Sequence, residues 1–240
     1  MYSKKAREFY DETYYGTSFG HHNQINDGHY RWIMDQQAFP NCPSILDLGC
    51  GTGDWLLACS RSLDAKVTGI DISGVAIATC KIKHPEGRYI CGRSDEVLPV
   101  TANSVDVVTS FGALEHFENP LKALRETHRI LTNDGIAIIS VPNKNFLGRK
   151  LGLFKGTGQT DVLELSLTNE DWGTLFKSAG FQVTMRKRDF HMANRRWLLA
   201  RGLAHAPFRA LTLFTLFLLP GHLQYQNYFW LRKNSSRVCV

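Results

Sequence analysis

The chain has 240 residues, 43% hydrophobic and 21% charged, with a formal net charge of +6; this supports one sizeable α/β domain and excludes a disordered or collagen-like chain. Residues 186–240 hold ten Lys or Arg against one acid, a net of +9, which leaves −3 on the first 185 residues. A basic C-terminal quarter points to a negative partner there (nucleic acid, an anionic lipid surface or a phosphorylated substrate) or else to a plain solvated face.

Residues 1–40 are polar and aromatic, and read as an N-terminal helical lid ahead of a single domain over 41–240. The N-terminus carries no apolar run of the signal-peptide kind. From residue 44, apolar runs alternate with amphipathic stretches. SILDLG, KVTGIDI, RYICGR, VDVVTSF and IAIISVP read as strands, and DWLLACSRSL, SGVAIATCKIK and LKALRETHRIL as helices. Such alternation gives βαβ units and a parallel sheet buried on both faces. Right-handed crossovers make an open, doubly wound, Rossmann-like α/β sheet the expected fold. Residues 167–180 predict a helix with a capping box at Thr168 and Asp171 and a stop at Gly180. Residues 181–185 and 228–232 predict two more strands, separated by a basic-apolar insertion at 193–220. Its most apolar stretch, 210–219, is too short to span a bilayer. Six cysteines without a CxxC pair argue against a zinc finger and for reduced thiols in the cytoplasm.

ILDLGCGTGD, residues 45–54, places Gly49, Gly51 and Gly53 between a strand end and a helix start. Glycines there permit a tight turn and close approach of a ligand to backbone. Asp47 precedes them, and Asp71 follows 20 residues beyond Gly51, at the end of the next strand. An acid in that place can accept both hydroxyls of a ribose. Asp54 at the helix start is unfavourable beside a pyrophosphate and harmless beside a zwitterionic or cationic ligand, which favours S-adenosylmethionine over a nicotinamide dinucleotide.

LDLGCGTG, GIDIS, Leu98-Pro99, VDVVTSFGALEH and LTNDGIAIISVPN occur in order. Over about residues 44–143, and weakly on to 180, the chain resembles the class I S-adenosylmethionine-dependent methyltransferases, in their small-molecule (type 11-like) branch. The resemblance implies a seven-stranded sheet, mostly parallel with an antiparallel last strand. It implies S-adenosylmethionine as cofactor and S-adenosylhomocysteine as product. Position by position, it implies that Gly49, Gly51 and Gly53 wrap the methionine part and that Asp47 orients its amino group. Asp71 would hold the ribose, Ile72 would pack on the adenine, and Ser94 or Asp95 would bind the adenine amino group. Phe111 and Gly112 would lie near the sulfonium, with Asp106 structural. The Glu115-His116 pair supplies the catalytic candidates: His116 titrates in the range needed to take a hydroxyl proton, or alternatively it caps the neighbouring loop. Tyr14, Tyr15 and His29 are candidates for a wall over the cofactor and acceptor. His21-His22 has no partner at ligand spacing, so no metal is expected.

The chain lacks the Asn/Asp-Pro-Pro-aromatic loop and the Pro-Cys nucleophile of nucleic-acid methyltransferases, and no RNA-binding module is visible. The leading expectation is S-adenosylmethionine-dependent O-methylation of a small or lipid-linked metabolite, in glycan or quinone biosynthesis. N- or C-methylation of a soluble metabolite is the alternative, and a non-catalytic cofactor-binding partner subunit is the second. The arginines and large apolar residues of 193–220 suit a helix lying on the inner membrane surface, a lid, or the interface of a homodimer.

Overall fold

Leu46 and Leu48 point to one face of strand β1 (Ser44–Leu48) and Ile45 to the other, and all three are buried. Strand residues alternate between faces, so a strand apolar at successive positions must be covered on both sides. The computed structural model describes residues 2–16, 27–152, 162–189, 207, 214 and 217–234. In it β1 sits mid-sheet, between β2 (Lys66–Asp71) and β4 (Val105–Phe111). With β3 (Arg88–Cys91), β5 (Leu131–Pro142), β6 (Phe181–Arg188) and β7 (Gln226–Lys233), the order is β3-β2-β1-β4-β5-β7-β6. β7 runs antiparallel to both β5 and β6, and β1 to β5 pair in parallel. This is the seven-stranded, mostly parallel doubly wound sheet expected from the sequence.

One face is covered by α2 (Asp27–Met34), α3 (Asp54–Leu63) and α4 (Gly74–Lys83). Their Ile33, Trp55, Leu56, Cys59, Ile77 and Cys80 pack with Ile45, Val67, Val107, Ile138 and Trp230. The other is covered by α5 (Pro120–Ile130) and α7 (Asn169–Ser178), whose Leu124, Ile130, Trp172 and Phe176 pack with Leu46, Val108, Ile139 and Phe229. α7 starts at the capping box: the Thr168 hydroxyl accepts from the Asp171 N–H at 3.1 Å, and the Asp171 carboxylate accepts from the Thr168 N–H at 3.1 Å. It is followed by Gly180 at φ +92°.

The last two strands are longer than expected. The antiparallel register continues to Arg188 opposite Asn227, so pairing extends them beyond their apolar cores into polar residues. Of the 193–220 insertion only residues 207, 214 and 217–220 are described, and His21-His22 lie outside the described residues. Among the described residues, no helix is long and apolar enough to cross a membrane.

Candidate functional site

Where β1 ends, Gly49, Gly51 and Gly53 take φ of +75°, +53° and +76°, a region costly to side chains. The space is closed as well. A Cβ on Gly49 would lie 2.4 Å from the Ala113 Cβ, and one on Gly51 would lie 2.8 Å from the Tyr15 hydroxyl. The loop is pinned by Gly49 and Cys50, whose N–H groups donate to the Ile70 carbonyl at 2.8 and 3.0 Å. Asp71, the last residue of β2, accepts from Gly51 N–H at 2.8 Å and from Ser73 N–H at 2.9 Å. Burial pushes its carboxyl up to about 6, and those donors oppose the rise. Each oxygen thus accepts one backbone hydrogen bond and keeps a further lone pair, at a residue that lines a cavity. The Asp54 charge is not bare: Lys83 Nζ donates to it at 2.9 Å.

That cavity, of about 160 Å3, opens at the carboxyl edge of the sheet. One wall comes from α1 (Tyr2–Glu8) and a single π-helical turn, Phe9–Tyr14: Ser3, Ala6, Tyr10, Tyr14 and Tyr15 face inward. Tyr14 meets Tyr10 and Tyr15 edge to face, with centroids 5.6 and 4.9 Å apart. The segment is docked by two polar side chains. Arg7 Nε donates to the Ile72 carbonyl at 3.0 Å, and the Asp11 carboxylate accepts from the Ser73 hydroxyl at 2.5 Å and from Val75 N–H at 3.2 Å. Sequence reasoning missed both docking residues, because nothing local marks a contact across 62 positions. A second wall holds Ile72, Gly92, Arg93, Ser94 and Asp95. The Asp95 carboxylate accepts two bonds from Arg93 at 2.9 Å and one from Asn119 N–H at 2.9 Å. Arg93 also pairs with Glu118 and Glu96.

The third wall is Phe111, Gly112, Ala113, His116 and Phe117. His116 ends a 3-10 turn, Leu114–His116. Its Nδ1 lies 2.5 Å from the Leu163 carbonyl. A carbonyl only accepts, so Nδ1 carries the proton and Nε2 is the acceptor nitrogen of the neutral ring. Burial lowers the His116 pKa from 6.5, with the Leu163 carbonyl opposing.

Five expected contact residues, Asp47, Gly51, Gly53, Glu115 and His29, are not on the cavity wall. Asp47 is buried and accepts from the Thr109 hydroxyl at 2.6 Å, which itself accepts from Trp55 Nε1 at 3.0 Å. Burial pushes the Asp47 carboxyl up to about 7. Glu115 turns inward, with Oε2 buried and unpartnered, and burial raises its carboxyl to about 8. His29 is buried, with Nε2 at 3.0 Å from the Tyr228 hydroxyl and 3.4 Å from Asp189, and it stacks on Trp32. It therefore braces α2 against β7. Gly53 faces Cys80 Sγ, which a Cβ would approach to 2.9 Å. Asp106 accepts from Ser44 N–H at 2.9 Å and so fixes the start of β1. Among the described residues no group of three His, Cys, Asp or Glu could hold a metal ion.

Comparison with known proteins gives this geometry a family. Residues 46–139 match the family model of a methyltransferase domain. The chain is 30% identical over 160 residues to the demethylmenaquinone methyltransferase of Chlorobaculum tepidum, covering 58% of this chain and 66% of that protein. It is 30% identical over 116 residues to a probable S-adenosylmethionine-dependent methyltransferase of Mycobacterium tuberculosis, covering 47% of this chain and 41% of that one. The chain thus spans less than two thirds of these relatives' own length. Its fold is similar to that of a chain in the solved complex between the Haloferax volcanii Trm112 methyltransferase activator and the putative methyltransferase. The TM-score is 0.73 at 15% identity, covering 95% of this chain and 96% of that one. By its motifs, its strand order and these relatives, the chain belongs to the class I S-adenosylmethionine-dependent methyltransferases.

Proposed function

We propose that the chain transfers the methyl group of S-adenosylmethionine to a hydroxyl of a small, quinone-like or lipid-linked acceptor. The observation that carries this reading is His116 on the cavity wall, its ring oriented there by the contact of Nδ1 with the Leu163 carbonyl. A hydroxyl must lose its proton as it is methylated, and a neutral imidazole accepts one near pH 7.

The residues present fit the cofactor. Gly49, in a left-handed conformation on the cavity wall, leaves its backbone open to a ligand. Asp71 offers two carboxylate oxygens at the cavity, oriented by Gly51 and Ser73 N–H, suited to a pair of ribose hydroxyls. Ile72 offers an apolar face to the adenine. Ser94 offers its hydroxyl beside an Asp95 that already accepts three bonds. When bound, S-adenosylmethionine supplies a methyl group activated by its sulfonium. The chain's own task is then alignment and proton removal. Residues 2–16 act as the lid, with Tyr14 and Tyr15 over the cofactor and Asp11 and Arg7 as its latches. The Chlorobaculum relative's quinone substrate supports a quinone-like acceptor here. His116→Ala and His116→Gln test the reading: turnover on a hydroxyl acceptor should collapse while cofactor affinity holds. Unchanged turnover removes His116 as the base.

A further inference from the structure

Three tyrosines of the N-terminal segment, Tyr10, Tyr14 and Tyr15, line the cavity together. Their ring centroids are 5.6 Å apart from Tyr10 to Tyr14, 4.9 Å from Tyr14 to Tyr15 and 6.3 Å from Tyr10 to Tyr15. The plane of Tyr14 stands at 73° and 80° to the other two, which are tilted by 35° to each other. The cluster therefore presents walls in two directions rather than a flat stack. A single cation beside it can stand within about 6 Å of all three centroids, the range in which a ring quadrupole attracts positive charge. The rings are half-buried and belong to neither apolar core of the sheet, so core packing does not account for them.

Their place in the cleft matches one part of the cofactor. In the placement above, Gly49 takes the methionine part and Asp71 the ribose, and both line the same cavity. The sulfonium joins those two parts and so lies between them. Tyr15 reaches that stretch: its hydroxyl stands 2.8 Å from where a Cβ of Gly51 would be, and Gly51 N–H is the donor to Asp71. Burial and the Asp71 carboxylate raise the Tyr15 pKa, so the phenol stays neutral. Of the acids on the described wall, Asp95 and Glu118 pair with Arg93, and Asp71 is assigned to the ribose. That leaves aromatic faces to meet the sulfonium charge.

From this arrangement we infer that Tyr10, Tyr14 and Tyr15 form an aromatic cage for the sulfonium, which favours the cationic cofactor over its neutral product. The inference rests on the cofactor placement in the reading above and not on the identity of the acceptor. Its consequence is directional. On transfer the sulfur–methyl bond breaks and its electron pair stays on sulfur. The methyl group bonds to the acceptor, which loses a proton. The cage then faces an uncharged thioether and holds it less tightly, which speeds release of the product.

Calorimetry of the full chain tests this without any acceptor. The ligands are S-adenosylmethionine, S-adenosylhomocysteine and sinefungin, which carries an ammonium-bearing carbon in place of the sulfonium. Tyr14→Leu and Tyr15→Leu are each expected to weaken S-adenosylmethionine and sinefungin at least about fivefold, with S-adenosylhomocysteine held within about twofold. Tyr14→Phe and Tyr15→Phe keep the ring face and should leave all three affinities within about twofold of wild type. An equal loss for all three ligands in the Leu variants overturns the cage, because it reduces the rings to shape. Unchanged S-adenosylmethionine affinity in those variants overturns it too. A loss in the Phe variants equal to that in the Leu variants assigns the effect to the hydroxyls and overturns it as well. A wild type that binds none of the three ligands removes the cofactor placement along with the cage. A selective loss in the Leu variants, without methyl transfer to any hydroxyl acceptor by wild type, leaves the cage standing and removes the proposed activity alone.

Discussion

Glu115→Gln should stabilise the protein at alkaline pH and leave it unchanged in acid. The Glu115 carboxyl is buried with Oε2 unpartnered, and burial raises its pKa from 4.5 to about 8. In the unfolded chain the same group ionises near its ordinary value. Between the two values the folded state holds a proton that the unfolded state has released, so stability falls as pH rises. The full contribution is present below 4.5 and is lost by about 8. Each pH unit in that window costs about 1.4 kcal/mol, so the whole window is on the order of 5 kcal/mol. Gln has the same shape and cannot ionise. Its advantage should be near zero at pH 4.5 and on the order of 10 °C in Tm at pH 8 for a chain of this size. Thermal unfolding of both proteins, followed by circular dichroism across that range, reads the effect. Parallel Tm profiles would refute the reasoning, because they would mean that Glu115 reaches solvent or a partner when ionised.

Asp71→Asn should weaken S-adenosylmethionine binding by about two orders of magnitude in calorimetry, the loss expected when a charged acceptor of two hydrogen bonds becomes a neutral amide. His116→Ala should lower kcat on a hydroxyl acceptor by about 10²–10⁴ with cofactor Kd unchanged. The acid limb of the wild-type pH–rate profile should fall below pH 6.5, because burial lowers the His116 pKa. Gly49→Ala combines a left-handed backbone with a Cβ 2.4 Å from Ala113, and urea unfolding should show a loss of more than about 2 kcal/mol. Asp106→Ala removes only the acceptor for Ser44 N–H; it should cost about 1 kcal/mol and leave kcat alone.

Local patterns were legible before any coordinates. The glycines of LDLGCGTG, the Asp71 that follows them and the Thr168–Asp171 capping box all announce themselves within a few residues of the geometry they create. Strand periodicity located all seven strands, but the antiparallel last strand came from the family resemblance, and the insertion of β7 between β5 and β6 only from the structure, since no run of residues encodes which strand becomes a neighbour. Side-chain direction at the site was less legible. Asp47, Glu115 and His29 have the chemistry of site residues, yet all three are turned inward: Asp47 and His29 by partners remote in sequence, Thr109 and Tyr228 with Asp189, and Glu115 with its Oε2 buried and unpartnered. Asp11 and Arg7 look like ordinary polar residues of a helical segment. Their docking on Ser73, Val75 and Ile72 is a property of tertiary packing alone.

Methyl transfer at the Asp71 cleft is tested most directly with S-adenosylmethionine labelled on its methyl group. Wild type and Asp71→Asn would be incubated side by side with the lipid and aqueous metabolite fractions of the host. The expected result is label in an organic-phase product with wild type and little or none with the variant. A wild-type protein that binds the cofactor but labels nothing in either phase would contradict the account, as would equal labelling by the two proteins.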